Sequence, residues 1–320
     1  MNPLTGLYGA ATALRNTLFD RGVLPSRRLE RPVVSVGNLS VGGSGKTPFV
    51  IALGELLKAR GIRFDVLSRG YGRKTRGVLI VQTDGNAADF GDEPLLIARR
   101  LGVPVIVGES RYQAGRVSER KFQPQLHILD DGFQHRSLVR DFDIVLMTER
   151  DFDDRLLPSG RLRETLSSLR RADAIVLPRD LSAQEMVIKS SALQGKLIWQ
   201  MKREIVMPAA FVAPIVFCGI ARPQQFFAQV RAAGITPAAE IEFRDHHAYD
   251  RSDIARLLAM RGNLGAGGFL TTEKDAVNLG SLQADLKPFA VAALSLTLNH
   301  PTDAVDAILA RTISARIISQ

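Results

Sequence analysis

Glycine, lysine and threonine stand together at Gly42-Gly43-Ser44-Gly45-Lys46-Thr47, shortly after the apolar run Val33-Val34-Ser35-Val36 and directly before Pro48. A β-branched strand that enters a glycine-rich turn and then a helix can wrap backbone N–H groups around an anion, because no Cβ stands in the way. The helix start adds further N–H groups and the positive end of its dipole. In such a turn the lysine reaches terminal phosphate oxygens and the threonine hydroxyl can ligate Mg²⁺. Proline costs little in a first helical turn, where its missing N–H would have no partner. The common G-x-x-x-x-G-K-[ST] spacing asks for glycine where this chain has Ser40, and Gly42 and Gly43 supply the flexibility instead.

A phosphate cradle needs an acidic partner for its metal on a neighbouring strand. Leu126-His127-Ile128-Leu129-Asp130-Asp131 provides one, an apolar strand ending in two carboxylates. Carboxylates just past the carboxyl end of a parallel strand lie where open α/β sheets bind ligands. Mg²⁺ favours one or two carboxylates together with phosphate oxygens and water. Thr47, Asp130 and Asp131 are therefore the expected metal residues, and Gly42, Gly43, Ser44, Gly45, Lys46 and Thr47 the expected nucleotide residues.

The elements that must position these groups alternate along the chain. Strands are expected at 32–36, 64–68, 78–82, 103–107, 126–129, 143–147, 174–177, 197–200, 215–219, 268–271 and 290–296, and helices at 47–60, 93–101, 111–121, 223–233, 252–261 and 303–313. Strands that are apolar throughout, rather than alternating, imply a mostly parallel sheet with helices on both faces. This predicts an α/β fold of P-loop NTPase type. Residues 202–214 carry two prolines and precede a fresh strand–helix alternation. The expected division is an amphipathic N-terminal helix (1–24), a P-loop domain (25–205) and a smaller C-terminal α/β domain (206–320).

Composition narrows the partners. The chain has 320 residues, 45% hydrophobic and 23% charged, and carries a net charge of +9 that calls for an anionic partner. Four tyrosines and one tryptophan, none alternating with basic residues along a strand, argue against a nucleic-acid stacking platform. The single cysteine, Cys218, excludes an internal disulfide framework and sits in the apolar run Ile215-Val216-Phe217 as a small buried hydrophobe. No run of 18 apolar residues exists to span a bilayer. Leu4, Leu7, Tyr8, Ala11, Leu14 and Leu18 do recur at three- and four-residue steps, with Arg15, Arg21, Arg27, Arg28 and Arg31 in or just after them. Such a helix either lies in an anionic membrane surface or packs on its own domain, and both readings stay open.

The run Asp130-Asp131-Gly132-Phe133-Gln134-His135, with Gly37-Asn38 and the glycine loop, resembles the tetraacyldisaccharide 4'-kinases. So do, in the same order, Ser68-Arg69-Gly70-Tyr71-Gly72-Arg73, Gly91-Asp92-Glu93-Pro94, Leu157-Pro158-Ser159-Gly160-Arg161-Leu162-Arg163-Glu164, Asp245-His246-His247 and Thr272-Glu273-Lys274-Asp275. The resemblance implies transfer of the ATP γ-phosphate to the 4'-hydroxyl of an acylated glucosamine disaccharide 1-phosphate. The product would be lipid IVA, formed at the cytoplasmic face of a bacterial inner membrane by a peripheral enzyme with no obligate protein partner. It implies Asp92 paired with His246 as the proton acceptor, beside Lys46, whereas spacing alone does not separate His246 from His247. Asp92 could equally cap the helix that follows it.

Tyr71 and His135 fall on turns at the ligand edge, and Arg161 and Arg163 offer guanidinium forks suited to phosphate. These four are the expected substrate residues, with a solvated basic face as the alternative for the arginines. Lys274-Asp275 resembles a guanine-reading pair, but those motifs separate the two residues by one, which favours ATP. A GTP-using metallochaperone would need that motif and metal-binding Cys or His. A ligase acting on a small soluble carboxylate gives no reason for the basic N-terminal helix.

Overall fold

The computed structural model describes residues 3–43, 45–208 and 212–314. Its strands form one twelve-stranded sheet in the order β10-β9-β11-β12-β8-β7-β6-β1-β5-β2-β4-β3. The central strand is β1 (Val33–Asn38), flanked by β5 (Leu126–Asp130) and β6 (Phe142–Leu146), both parallel to it. Outward on one side lie β2 (Phe64–Ser68), β4 (Val105–Val107) and the antiparallel edge strand β3 (Leu79–Ile80). On the other side lie β7 (Ala174–Pro178) and β8 (Leu197–Val206). Beyond β8 the sheet continues through β12 (Phe289–Leu298), β11 (Phe269–Thr272), β9 (Ile215–Cys218) and β10 (Ala239–Glu242), which are parallel to one another.

The single antiparallel seam in the middle, β8 against β12, joins these two parallel blocks. Lys202–Val206, at the start of the 202–214 segment, extends β8. Charged residues at 202–204 hide that extension from a reading of local apolarity. Their ladder partners lie some ninety residues away, Leu298 opposite Met201 and Ala293 opposite Val206.

Alternate side chains on the central strands enter opposite cores. Val34 and Val36, with Ile128, Phe142 and Ile144, pack against Phe49, Leu53 and Leu57 of α2 (Lys46–Ala59) and Leu95 of α4 (Asp92–Leu101). Val33, Leu67 and Leu129 pack on the other face with Ala114 of α5 (Arg111–Phe122). Cys218 is buried in an apolar cluster with Phe226 and Phe227, and burial raises its thiol pKa, so it has no nucleophilic character.

Not everything under α5 is apolar. His127 is fully buried, with Nδ1 2.8 Å from Asp65 and Nε2 3.5 Å from Glu119 of α5, while Ser118 bonds the same Asp65. Burial alone would lower the imidazole's pKa, but the two carboxylates overturn that and raise it to about 9. His127 is therefore a buried imidazolium that ties α5 to β2 and β5. Its contribution to stability is complete below about pH 6.5 and fades as pH rises through about 9. His127→Leu leaves the buried Asp65 without its cation. Denaturant unfolding at pH 7 should show a loss on the order of 3–5 kcal/mol.

Candidate active site

At the carboxyl end of β1 the chain leaves Asn38, loops, and enters α2 at Lys46. Gly42 and Gly45 both have positive φ, 97° and 86°. A Cβ at Gly45 would lie 2.5 Å from the guanidinium of Arg203 on β8, which rests on the loop and would have to move aside. Lys46 Nζ donates to Asn38 Oδ1 (3.0 Å) and lies 3.5 Å from Asp131 Oδ1. Thr47 is buried in the first helical turn, and Gly43 is exposed. Ser44, expected among the nucleotide residues, lies outside the described residues. Ser40 takes an extended bridge to Leu162 and its carbonyl accepts from Asn38 Nδ2 (2.6 Å), a conformation that does not require glycine.

The register Val36↔Asp130 brings β5's carboxylates beside this loop. The two adjacent aspartates turn opposite ways. Asp131 adopts φ 49°, and its carboxylate faces Arg163 Nη1 (3.0 Å) and Lys46. Burial would raise its pKa, but Lys46 and Arg163 prevail and lower it. Asp130 turns back into the sheet, where Oδ2 accepts from Ser68 Oγ (3.0 Å) and Oδ1 is buried with no hydrogen-bond partner. Burial first, then the charges of Glu93 and Asp131, push its pKa up to about 7. Arg111, at the start of α5, faces both aspartates; burial lowers its pKa, and Arg69 adds to that.

Asp92 opens α4, whose N-cap is Gly91 (φ 89°), so Asp92 is the first helical residue and not the cap. One of its oxygens accepts from the Glu93 N–H (2.8 Å), and the other meets His246 Nδ1 at 2.8 Å. Asn278 Nδ2 adds a longer bond of 3.4 Å. Burial raises the carboxyl's pKa, but His246 and Lys274 outweigh it and hold it low, so Asp92 is ionised at neutral pH. His246 is raised, chiefly by its hydrogen bond to Asp92. The imidazole is aimed by a left-handed backbone (φ 57°) whose N–H donates to Gly219 O (3.1 Å). His247 points elsewhere, to Asp253 at 2.7 Å. Glu93 lies in the electrostatic reach of Asp92, Lys274 and Lys46; burial and Asp92 raise its pKa.

The expected substrate residues divide. Arg163 reaches Asp131, but the side chain of Arg161, two residues earlier, is held by Asp154 (2.9 Å) and Asp151 (3.7 Å), and it is only the Arg161 carbonyl that meets the phosphate loop, accepting from the Val41 N–H (2.8 Å). Asp154 also accepts the backbone N–H of Arg155 (2.8 Å), so this turn captures the nearer arginine for itself. His135 accepts from or donates to Ser137 (3.2 Å) amid Arg111, Arg140, Arg15 and Arg69. Burial and these cations lower it to about 4, so it is neutral at physiological pH. Tyr71 is 68% exposed, its ring 5.6 Å from that of His246. The sequence reading gave no role to Arg203, Arg111, Glu93 or Asn278. Only Arg111, at a helix start just past the parallel strand β4, carried a local signal.

A strand–loop–helix phosphate cradle, carboxylates on the adjacent parallel strand and an Asp–His pair beside them define a P-loop phosphotransferase. A family profile described as tetraacyldisaccharide-1-P 4'-kinase (LpxK) matches residues 1–314. The tetraacyldisaccharide 4'-kinase of Koribacter versatilis (strain Ellin345) is 48% identical over 319 residues, 97% of this chain and 98% of its own length. That of Aquifex aeolicus (strain VF5) is 41% identical over 294 residues, 87% of this chain and 88% of its own. A crystal structure of LpxK from Aquifex aeolicus in complex with ATP superposes with a TM-score of 0.78 at 37% identity, covering 97% of this chain and 98% of that one. The chain belongs to the tetraacyldisaccharide-1-phosphate 4'-kinase family of ATP-dependent kinases.

Lys46→Met removes the cation that faces Asn38 and Asp131. Charge-assisted hydrogen bonds contribute about 1.5–3 kcal/mol, so the dissociation constant for a non-hydrolysable ATP analogue should rise about 10- to 100-fold by calorimetry.

Proposed function

We propose that this protein transfers the γ-phosphoryl group of ATP to the 4'-hydroxyl of a tetraacylated glucosamine disaccharide 1-phosphate, giving lipid IVA and ADP. The observation that carries the reading is the pairing of buried Asp92, at the head of α4, with partly exposed His246, set beside a phosphate cradle. An alcohol acceptor needs a proton acceptor within hydrogen-bond reach, and phosphoryl transfer otherwise asks mainly for positioning and charge neutralisation. Asp92 takes the hydroxyl proton as the acceptor oxygen bonds to the γ-phosphorus and the bond to the β,γ-bridging oxygen breaks. Lys46 and the loop N–H groups hold the phosphates; Arg163 holds Asp131, and Arg111 adds positive charge to the same edge.

The residues also fit a divalent ion. Asp130 Oδ1 is a buried oxygen without a partner, close to the Thr47 end of the loop, and these are the hard donors Mg²⁺ prefers. Among the described residues no three His, Cys, Asp or Glu side chains converge on one point, so such an ion would complete its shell with nucleotide oxygens and water. Asp130 and Thr47 would hold it, with Asp131 in support. Mg²⁺ supplies charge neutralisation at the β- and γ-phosphates.

Residues 25–205 and 206–320 are read as a kinase domain and a smaller domain meeting over the nucleotide, joined at the β8–β12 seam. The helix α1 (Pro3–Asp20) is read as the membrane contact, at the cytoplasmic face where ATP is available. No described helix is long and apolar enough to cross a bilayer. Leu4, Leu7 and Leu14 are 59%, 70% and 61% exposed, while the opposite side of α1 is bound by polar contacts to the 134–164 region. Half-packed and half-apolar-out is the arrangement of an interfacial helix.

Incubation with γ-labelled ATP and the disaccharide 1-phosphate should yield a labelled glycolipid, and no transfer under any divalent-ion condition would refute the reading. In the same assay Asp92→Asn should lower kcat by about 10²- to 10⁴-fold with ATP affinity unchanged. Leu7→Gln with Leu14→Gln should weaken partitioning onto anionic vesicles by roughly tenfold or more in a flotation assay, with thermal stability retained.

A further inference from the structure

The block Thr272-Glu273-Lys274-Asp275 reads no base in this fold. Asp275 is fully buried and accepts from the Gly219 N–H (2.7 Å), Tyr249 Oη (2.8 Å) and Thr272 Oγ1 (2.5 Å). It thereby ties the start of α9 (Glu273–Leu279) to Gly219, the residue whose carbonyl holds the His246 N–H. A Cβ at Gly219 would lie 2.9 Å from Arg244 O, so the two loops pass in close contact. Lys274, one residue before Asp275, is thus delivered to the proton-accepting pair. Its Nζ lies 3.2 Å from His246 Nε2, 3.1 Å from Asp245 Oδ1 and 3.7 Å from Asp92 Oδ2.

A lysine ammonium has three donors and no acceptor. Across 3.2 Å it can only donate to Nε2, so that nitrogen carries a lone pair and the imidazole's proton sits on Nδ1, pointing at Asp92. The geometry points to Lys274 as a positioning residue for phosphoryl transfer: anchored by Asp245, it fixes the His246 tautomer that donates to Asp92 and leaves the carboxylate as the group that takes the hydroxyl proton. This inference rests on the assignment of Asp92 as proton acceptor. It adds that His246 orients the carboxylate and is not itself the proton's destination, because its one basic nitrogen is capped by a cation.

The electrostatics agree with that placement. The groups facing the pair are Glu93 on α4, Lys274 on α9 and Asp245 on the loop after β10, with the exposed Tyr71 ring beside the imidazole. Lys274 lowers the pKa of both Asp92 and His246, while Asp245 acts on His246 in the other direction. Removing the ammonium therefore raises both, and the acceptor becomes protonated at a higher pH.

The test compares wild type, Lys274→Gln and Lys274→Arg in kcat against pH, together with long-range ¹H–¹⁵N spectra of the histidine-labelled proteins. Wild type should show the Nδ1–H tautomer at His246. Lys274→Gln should lose about tenfold in kcat across the neutral plateau because the Nδ1–H tautomer is no longer held, with the acid limb of the profile also displaced upward by about one pH unit and KM for ATP unchanged. Its imidazolium signal should persist to higher pH, and Lys274→Arg should restore the limb. An Nε2–H tautomer in wild type, or a kcat loss uniform across pH with the limb in place, would overturn the inference. So would an unchanged kcat in folded Lys274→Gln. Failure of wild type to phosphorylate the disaccharide would instead remove the functional reading, and the tautomer spectra would stand apart from it.

Discussion

Two consecutive carboxylates at the end of β5 must stay side by side in a buried edge, and the structure solves this by making them unlike. The positive φ at Asp131 swings its carboxylate to Lys46 and Arg163, where two cations stabilise the charge. Asp130 remains in line with the sheet, with only the Ser68 hydroxyl for a partner, and its pKa is pushed up to about 7. Like charges at this distance in a poorly solvated site cannot both be cheaply ionised. On the proposed reading, a divalent cation held by Asp130 and Thr47 would relieve the conflict. The loop's lysine is meanwhile held by Asn38 and Asp131 in the direction it needs.

The Asp92–His246 pair imposes a different constraint, because its members come from opposite blocks of the sheet. Asp92 and His246 are 154 residues apart and meet at 2.8 Å. Their distance depends on the β8–β12 seam, which hangs the β9–β11–β10 block onto the P-loop block, and on α9, which begins at that block's ligand edge and packs near α4. Ion pairing reinforces the join, since Arg100 of α4 bonds Glu273 of α9 and Glu273 also accepts the Leu294 N–H of β12 (3.2 Å). Arg203 sits on the same seam and rests on Gly45. Movement of the seam would therefore be felt at the cradle and at the Asp–His contact together.

What could be read without coordinates follows from this division. The parallel core was legible because β1, β2, β5 and β7 are dominated by apolar residues without a strict alternation, and the cradle because Gly-Lys-Thr follows such a strand. The Asp92–His246 pairing came only through family resemblance, since no local rule links positions that distant. Three kinds of element escaped. β8 continues through Lys202-Arg203-Glu204 because β12 pairs with it, and β10 (Ala-Glu-Ile-Glu) is short, half exposed and edge-bound. α9 is seven residues long and is held by the buried Asp275, which no hydrophobic period reveals. The roles of Arg161 and Arg163 also depended on tertiary detail, because an aspartate seven residues earlier captures only one of them.

The N-terminal helix links the site to its surroundings by contacts of an unusual kind. None of its residues is buried, and polar groups dock it. Tyr8 Oη donates to Arg163 O (3.1 Å), Arg15 to Gln134 O (2.7 Å) and Asn16 to Glu164 Oε2 (2.7 Å), while Arg136 returns a bond to Asn16 O (2.9 Å). Each of those partners is within a few residues of Asp131, is Arg163 itself or is its neighbour Glu164. A helix held this way gains little from hydrophobic burial on the protein, so its exposed leucines retain most of their transfer free energy for another apolar phase. On the proposed reading, seating those leucines at an acyl boundary fixes the height of the 131–136 turn above the bilayer. The basic cluster around His135 then lies where headgroup phosphates are dense, and the acceptor sugar need rise only a short way from the membrane to meet the cradle.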